Sequence, residues 1–186
     1  METSLIRQSR SGDKKAFAAL FNQYKNLVYK TAYLMLDSTQ EAEDALQEVF
    51  VQVHHNLKRY DATKGAFTTW LHKITVNYCL NRRRRQRVWQ WLGVESTAKM
   101  EVASPEERLA DEAVRQGLRQ LSDKLRSIVV LRYYHDLSYT EIADILNIPL
   151  GTVKSRLNQA LHDLRRRLKA DFTDYKSLSA AQEVSA

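Results

Sequence analysis

Residues 138–169, SYTEIADILNIPLGTVKSRLNQALHDLRRRLK, read as two helices joined by a tight turn, the second carrying cations. Ser138 and Glu141 have capping-box spacing, which predicts a helix start there. Ile142, Ala143, Ile145 and Leu146 give that helix an apolar side, and small Ala143 leaves room for another helix to pass closely. Asn147 falls where the chain must turn, and Asn tolerates the left-handed conformation such turns need. Pro149 suits the first turn of a new helix. Val153, Leu157, Leu161, Leu164 and Leu168 then recur at intervals of 4, 4, 3 and 4, one stripe of a long helix. Lys154, Ser155, Asn158 and Gln159 lie off the stripe and face outward. This is the pattern of a helix-turn-helix with a polar recognition helix, a device for reading the DNA major groove. The plainer reading is a helical hairpin with a solvated charged face. Composition favours the first, because residues 148–169 hold six Lys/Arg and one acid, as a phosphate-facing surface requires.

Outward from this stretch, the 186-residue chain allows one or two domains, and its 44% hydrophobic content is enough for globular cores. Five Gly and two Pro are few, long apolar helical patterns dominate, and the expected class is all-α. Net charge is +7, but its distribution says more. Residues 1–57 carry six basic and seven acidic side chains, residues 58–94 nine and one, residues 95–121 four and six. A positive block between near-neutral or acidic ones suggests a local polyanion site. The single Cys79 excludes an internal disulfide, fits a reducing cytosol, and reads as a small helix residue rather than a redox thiol. No apolar run approaches the roughly 18 residues of a spanning helix and no signal-peptide pattern opens the chain. A soluble cytoplasmic protein without stable membrane insertion is the expectation.

The first helical unit is expected from about Asp13, a plausible N-cap. Phe17, Leu20, Phe21, Tyr24, Leu27 and Val28 form one stripe. Ser38 and Glu41 make a second capping box, and Ala42, Ala45, Leu46, Val49, Phe50, Val53 and Leu57 follow as the next apolar side. Tyr60 to Gly65 reads as a loop. A third helix is expected from about Ala66 to Arg87, with Phe67, Leu71, Ile74 and Tyr78 on one face. Residues 88–104 lose helical periodicity and collect Gly93, Ser96 and Thr97, as a linker would. Ser104-Pro105-Glu106-Glu107 is a strong start signal for the second unit, 105–170. Its helices are expected to run through about Leu121, then from Ser122-Asp123, then into the helix-turn-helix. Residues 171–186 read as a flexible tail.

The second informative region is 58–87, where Arg59, Tyr60, Lys64, Trp70, Lys73, Asn77, Arg82 to Arg85 and Arg87 interleave aromatics, an amide and cations. Lys73, Asn77 and Arg84 share a helix face. Such a surface suits single-stranded DNA: cations follow phosphates, aromatics stack, and an amide reads an exposed base edge. Trp70, near the apolar stripe, reads more as core than as a stacking platform. The Arg run with Trp89, Trp91 and Leu92 weakly suggests a membrane-surface segment, but no long amphipathic continuation follows. Asp44, Gln47 and Glu48 lie off the apolar side of their helix, either a solvated acidic face or a docking face for a protein. Catalysis has little support, since no phosphate-cradling Gly loop or nucleophile–base arrangement is found. His54 and His55 are adjacent and make a poor metal pair. No cofactor and no metal are expected.

DALQEVFVQVHHNLKRYD, GAFTTWLHKITVN and LSYTEIADILNIPLGTVKSRL, in this order and separation, resemble an extracytoplasmic-function sigma factor of bacterial RNA polymerase across about residues 10 to 169. The resemblance implies that region 2, residues 1–87, binds core polymerase at the β′ clamp helices and captures unpaired −10 bases. Region 4 would read the −35 duplex and contact the β flap, and the linker 88–104 would thread the RNA exit path. By matching motif it implies a clamp-docking role for Asp44, Gln47 and Glu48. Tyr60, Lys64, Lys73, Asn77 and Arg84 would serve the −10 strand. Arg132, Thr152, Lys154, Ser155, Arg156, Asn158 and Gln159 would serve the −35 duplex. It further implies promoter DNA and an anti-sigma factor as partners, and no catalysis. The rival readings are a stand-alone helix-turn-helix transcriptional regulator and a small nuclease.

Overall fold

Asp13 begins the first long helix. Its carboxylate accepts from the amides of Lys15 (2.8 Å) and Ala16 (3.2 Å), satisfying two donors the helix cannot pair internally. The computed structural model describes residues 2–91 and 115–183, with side chains up to Arg166 apart from Gln90. Within those spans all regular structure is helical. A short α1 (Glu2–Arg10) precedes α2 (Lys14–Leu36), which ends at Asp37 in the left-handed conformation (φ 59°). Ser38 caps α3 (Thr39–Asn56) by accepting from the Glu41 amide. The expected reciprocal arm is not described: the nearly buried Glu41 carboxylate meets Arg82 and Gln86 instead. One tight turn (Leu57–Arg59) and a loop lead to α4 (Phe67–Trp91). This helix runs four residues past Arg87, into the stretch read as linker, because no Gly or Pro interrupts residues 88–91. Residues 92–104, and the start signal at Ser104-Pro105, lie outside the described residues.

The second unit has helical backbone at 115–119, then α5 (Asp123–Val129), which widens into a π turn over Val130–Tyr134. Then come α6 (Tyr139–Leu146) and α7 (Leu150–Glu183). The backbone of α7 stays helical through most of the stretch read as a flexible tail.

Leu20, Tyr24, Val28, Val49, Phe50, Val53, Leu57, Phe67 and Leu71 are buried together, so the expected stripes do form the first core. A second core is shared between the units. Ala32, Met35, Leu36, Val76 and Cys79 of the first unit pack with Leu118, Leu121, Leu125 and Ile128 of the second. Helix α4 is therefore buried on two sides, one more than its apolar stripe announces.

Polar groups tie the same seam. Arg126, 1% exposed, donates from Nε to the Leu118 carbonyl (2.8 Å), from Nη1 to Met35 (2.9 Å) and from Nη2 to Arg119 (2.8 Å). Asp37 receives Arg115 (3.1 Å) and Arg119. Asp123, almost buried, pairs with Arg83 and, at 2.8 Å, with Arg87. The rings of His72 and His135 meet edge to face at 4.4 Å across the seam. Thr31 gives its one hydroxyl proton to the Leu27 carbonyl (2.7 Å), so the His135 Nε2–H donates to Thr31 Oγ1 (2.8 Å).

Two outcomes follow from the seam. Arg126→Met should cost about 3 kcal/mol or more in urea unfolding of the full chain, because two buried carbonyls and a half-buried one lose their donor. A loss below about 1 kcal/mol would mean those carbonyls find other partners. Burial, with the facing His135, pushes the His72 pKa down from 6.5 to about 3. Burial, with Lys30, pushes His135 down to about 4. The folded protein thus resists protonation that the unfolded chain accepts, so this stability is complete above pH 6.5 and is lost progressively as pH falls toward these values. The urea midpoint should fall between pH 7 and pH 5, and His135→Phe should flatten that slope.

Candidate nucleic-acid interface

The helix-turn-helix is built as its residues dictate. Ser138 Oγ accepts from the Glu141 amide (3.3 Å) while the Glu141 carboxylate accepts from the Ser138 amide (2.8 Å), a complete capping box. The Ser138 hydroxyl also donates to the Glu141 carboxylate (2.7 Å), and this bond, with the one from the Ser138 amide, holds the Glu141 carboxyl below the usual carboxylate range. Asn147 takes the left-handed conformation (φ 51°), and its N–H returns to the Ala143 carbonyl. Ile148 N–H reaches that same carbonyl at 3.1 Å. Pro149 sits just before Leu150, the first residue of α7, and its carbonyl accepts from Thr152 and Val153. Ile142, Ile145, Val153, Leu157 and Ala160 are buried, which turns the opposite face of α7 to solvent. On that face Lys154, Ser155, Asn158 and Gln159 are exposed, while Thr152 and Arg156 are half-buried beside them. Ser155 Oγ donates to the Thr152 carbonyl (3.1 Å). Arg132, also half-buried, donates to the Leu137 carbonyl (3.1 Å) and lies 5.5 Å from the Tyr139 ring centre.

The second polar surface is the loop before α4. Asp61 accepts from the Thr63 amide (3.0 Å) and hydroxyl (2.8 Å), and these bonds lower its carboxyl pKa. Gly65 adopts φ +154°, which an L side chain rarely does. Tyr60, among the expected strand-binding residues, is 7% exposed. Its hydroxyl donates to the Gly65 carbonyl (3.0 Å) and its ring packs on Phe67 and Trp70. In this conformation it braces the loop. Lys64, Lys73, Asn77 and Arg84 are exposed. Trp70, half-buried against Tyr60 and Phe67, behaves as core with one open edge.

A cleft of about 870 Å³ opens between this second surface and the turn of the helix-turn-helix. One wall is Arg59, Tyr60, Asp61, Lys64 to Ala66, Thr69, Trp70 and Lys73. The other is the turn of the helix-turn-helix, with Glu141, Ala143, Asp144 and Asn147 to Pro149. Asn77 and Arg84 lie outside this lining. Asp44, Gln47 and Glu48 share an exposed face of α3, joined by Val51, which is 49% exposed. The sequence reading missed the seam residues Asp37, Arg115, Arg119, Asp123 and Arg126. A signal existed for one: Asp123 follows an N-cap Ser, where a carboxylate normally serves the helix end, but whether it serves the end or a distant Arg depends on packing. Among the described residues no helix is long and apolar enough to cross a membrane, and no group of three or more His, Cys, Asp or Glu is placed to hold a metal ion.

The Sigma-70 region 2 family matches residues 20–88, and Sigma-70 region 4 matches residues 117–166. The chain is 33% identical over 178 residues to the ECF RNA polymerase sigma factor SigW of Bacillus subtilis, an alignment covering 88% of this chain and 95% of SigW. It is 30% identical over 182 residues to the RNA polymerase sigma-H factor of Pseudomonas aeruginosa, covering 90% and 94%. Its fold is similar to CnrH solved with the cytosolic domain of CnrY (TM-score 0.69, 24% identity, 90% of this chain and 96% of CnrH). It is also similar to RpoE solved with the anti-sigma factor NepR from Bartonella quintana (TM-score 0.70, 22% identity, 84% and 99%). With both sigma regions present in order on the two helical units, and relatives aligned along most of its length, the chain belongs to the extracytoplasmic-function sigma factors, alternative sigma factors that direct promoter-specific transcription initiation.

Proposed function

We propose a division of labour between the two units, carried by one observation: each presents a separate exposed polar surface, the outward face of α7 and the loop-plus-α4 face. Residues 105–170 read the −35 duplex through Lys154, Ser155, Arg156, Asn158 and Gln159, with Thr152 and Arg132 beside the phosphates. Exposed amides and cations on a helix thin enough for the major groove supply direct readout. Residues 1–87 hold the unpaired −10 strand through Lys64, Lys73, Asn77 and Arg84, with Tyr60 shaping the loop from beneath. Asp44, Gln47 and Glu48 dock on the β′ clamp helices of core polymerase, the second unit touches the β flap, and the chain after Trp91 connects the units. The protein acts in the cytoplasm, takes no cofactor and catalyses no reaction of its own. RpoE of Bartonella quintana was solved with an anti-sigma factor, and an anti-sigma partner is proposed here too.

Run-off transcription with purified core polymerase over a pool of genomic fragments tests the reading. New start sites should appear when the protein is added, and an unchanged transcript set would sink it. Lys154→Ala should weaken upstream recognition by about 1–3 kcal/mol if the lysine makes a bidentate base contact. The check is a holoenzyme footprint, and unchanged strength and sequence preference would remove Lys154 from the reading face. Asn77→Ala should impair open-complex formation, followed by permanganate reactivity of melted thymines, while upstream duplex protection persists. Normal melting would assign Asn77 to mere solvation.

A further inference from the structure

We propose that Trp91 is a base-stacking platform at the end of α4, and that the single-strand track runs along the outer ridge of this helix from Lys73 to Trp91. This rests on the reading of the loop and α4 as the −10 surface, and it adds two residues, Asn81 and Trp91, that the resemblance does not assign.

Register carries the argument. At about 100° per residue, Lys73, Asn77, Asn81, Arg84, Val88 and Trp91 fall within an arc of about 80°. Their spacings are 4, 4, 3, 4 and 3, and all six are exposed. Helix α4 continues to Trp91, so the ridge keeps its direction for about 10 Å past Arg84. Cations on the two flanks are engaged elsewhere. Arg82 meets Glu41 of α3 on one side, and Arg83 and Arg87 pair with Asp123 on the other. The ridge between those flanks stays exposed.

Charge and shape name the occupant. Residues 67–91 hold one Lys, five Arg and no Asp or Glu, so the helix attracts a polyanion. Trp91 is 84% exposed, more than any other large apolar side chain among the described residues. A single exposed apolar residue is ordinary, but this one closes a row of cations and amides. An unpaired strand supplies phosphates for Lys73 and Arg84, base edges for Asn77 and Asn81, and a base face for the indole. In a duplex the base faces are covered by their neighbours, so the indole finds a partner only where the strand is open. A lipid surface fits worse. Trp89 and Trp91 stand about 200° apart around the helix, so one membrane plane cannot take both rings.

The test uses the full chain assembled with core polymerase, on a genomic template from which that holoenzyme starts. The apparent binding constant of the open complex is read from permanganate reactivity of melted thymines as holoenzyme is titrated. Trp91→Ala should lower it about tenfold, the loss of one stacked base. Trp91→Phe, which keeps a ring, should stay within about threefold of wild type. Trp89→Ala, on the opposite side of the helix, should change it less than about twofold. Because no charge is lost, Trp91→Ala should leave the slope of log affinity against log salt unchanged, whereas Arg84→Ala should flatten it by about one. Equal losses in Trp91→Phe and Trp91→Ala, or in Trp89→Ala and Trp91→Ala, would remove stacking as the cause and overturn the proposal.

Two further measurements address other occupants. Without DNA, Trp91→Ala should bind core polymerase as wild type does; weaker assembly would give the indole to a polymerase contact and overturn the platform. Wild type should not sediment with phosphatidylglycerol vesicles any more than Trp91→Ala does; sedimentation that depends on Trp91 would give it to lipid. If Arg84→Ala impairs melting and Trp91→Ala does not, the platform falls and the −10 reading stands. If neither variant affects melting, the −10 reading of α4 falls and takes the platform with it.

Discussion

A buried guanidinium holds the two halves of this molecule in one arrangement. Arg126 sits where the first and second units meet and satisfies carbonyls of both, Met35 on one side, Leu118 and Arg119 on the other. Burial lowers its pKa only to about 10, so it remains charged at neutral pH, and a buried charge demands partners in defined positions. The carbonyls at the C-terminal end of α2 are among the acceptors such a helix end leaves unpaired. Helix geometry and ion solvation therefore ask for the same contact.

Around that contact the seam combines two kinds of attraction. Apolar packing of Met35, Val76 and Cys79 against Leu121, Leu125 and Ile128 supplies non-directional cohesion. The carboxylates of Asp37 and Asp123, with the arginines on them, supply register. A paired buried charge contributes little net stability against an apolar alternative, but its loss on one side is costly. Such a seam is specific in its closed geometry.

The polar surfaces differ in how they are made. The α7 face is rigid: a complete capping box, a left-handed Asn and a buried stripe orient it before any DNA arrives. The loop before α4 is braced more locally, by Tyr60 on Gly65 and Asp61 on Thr63. A rigid helix matches a regular groove, and a loop supported on a hydrophobic base can take up an irregular single strand.

Most of the helices and caps and the two-unit order were legible in the sequence, because capping and apolar periodicity are local, whereas α1, ahead of the expected start at Asp13, was not. Ser138, Glu141 and Asn147 act on neighbours within four residues, so spacing alone identifies them. Lys154, Ser155, Asn158 and Gln159 were legible as an outward face for the same reason. The burial of Tyr60 and the second buried side of α4 were not. Each depends on what lies across from it. The pairing of Arg83 with Asp123 joins residues 40 positions apart, and Arg126 reaches 91 positions back to Met35. No periodicity encodes such contacts, because they arise only when two helical units with complementary charges are brought face to face.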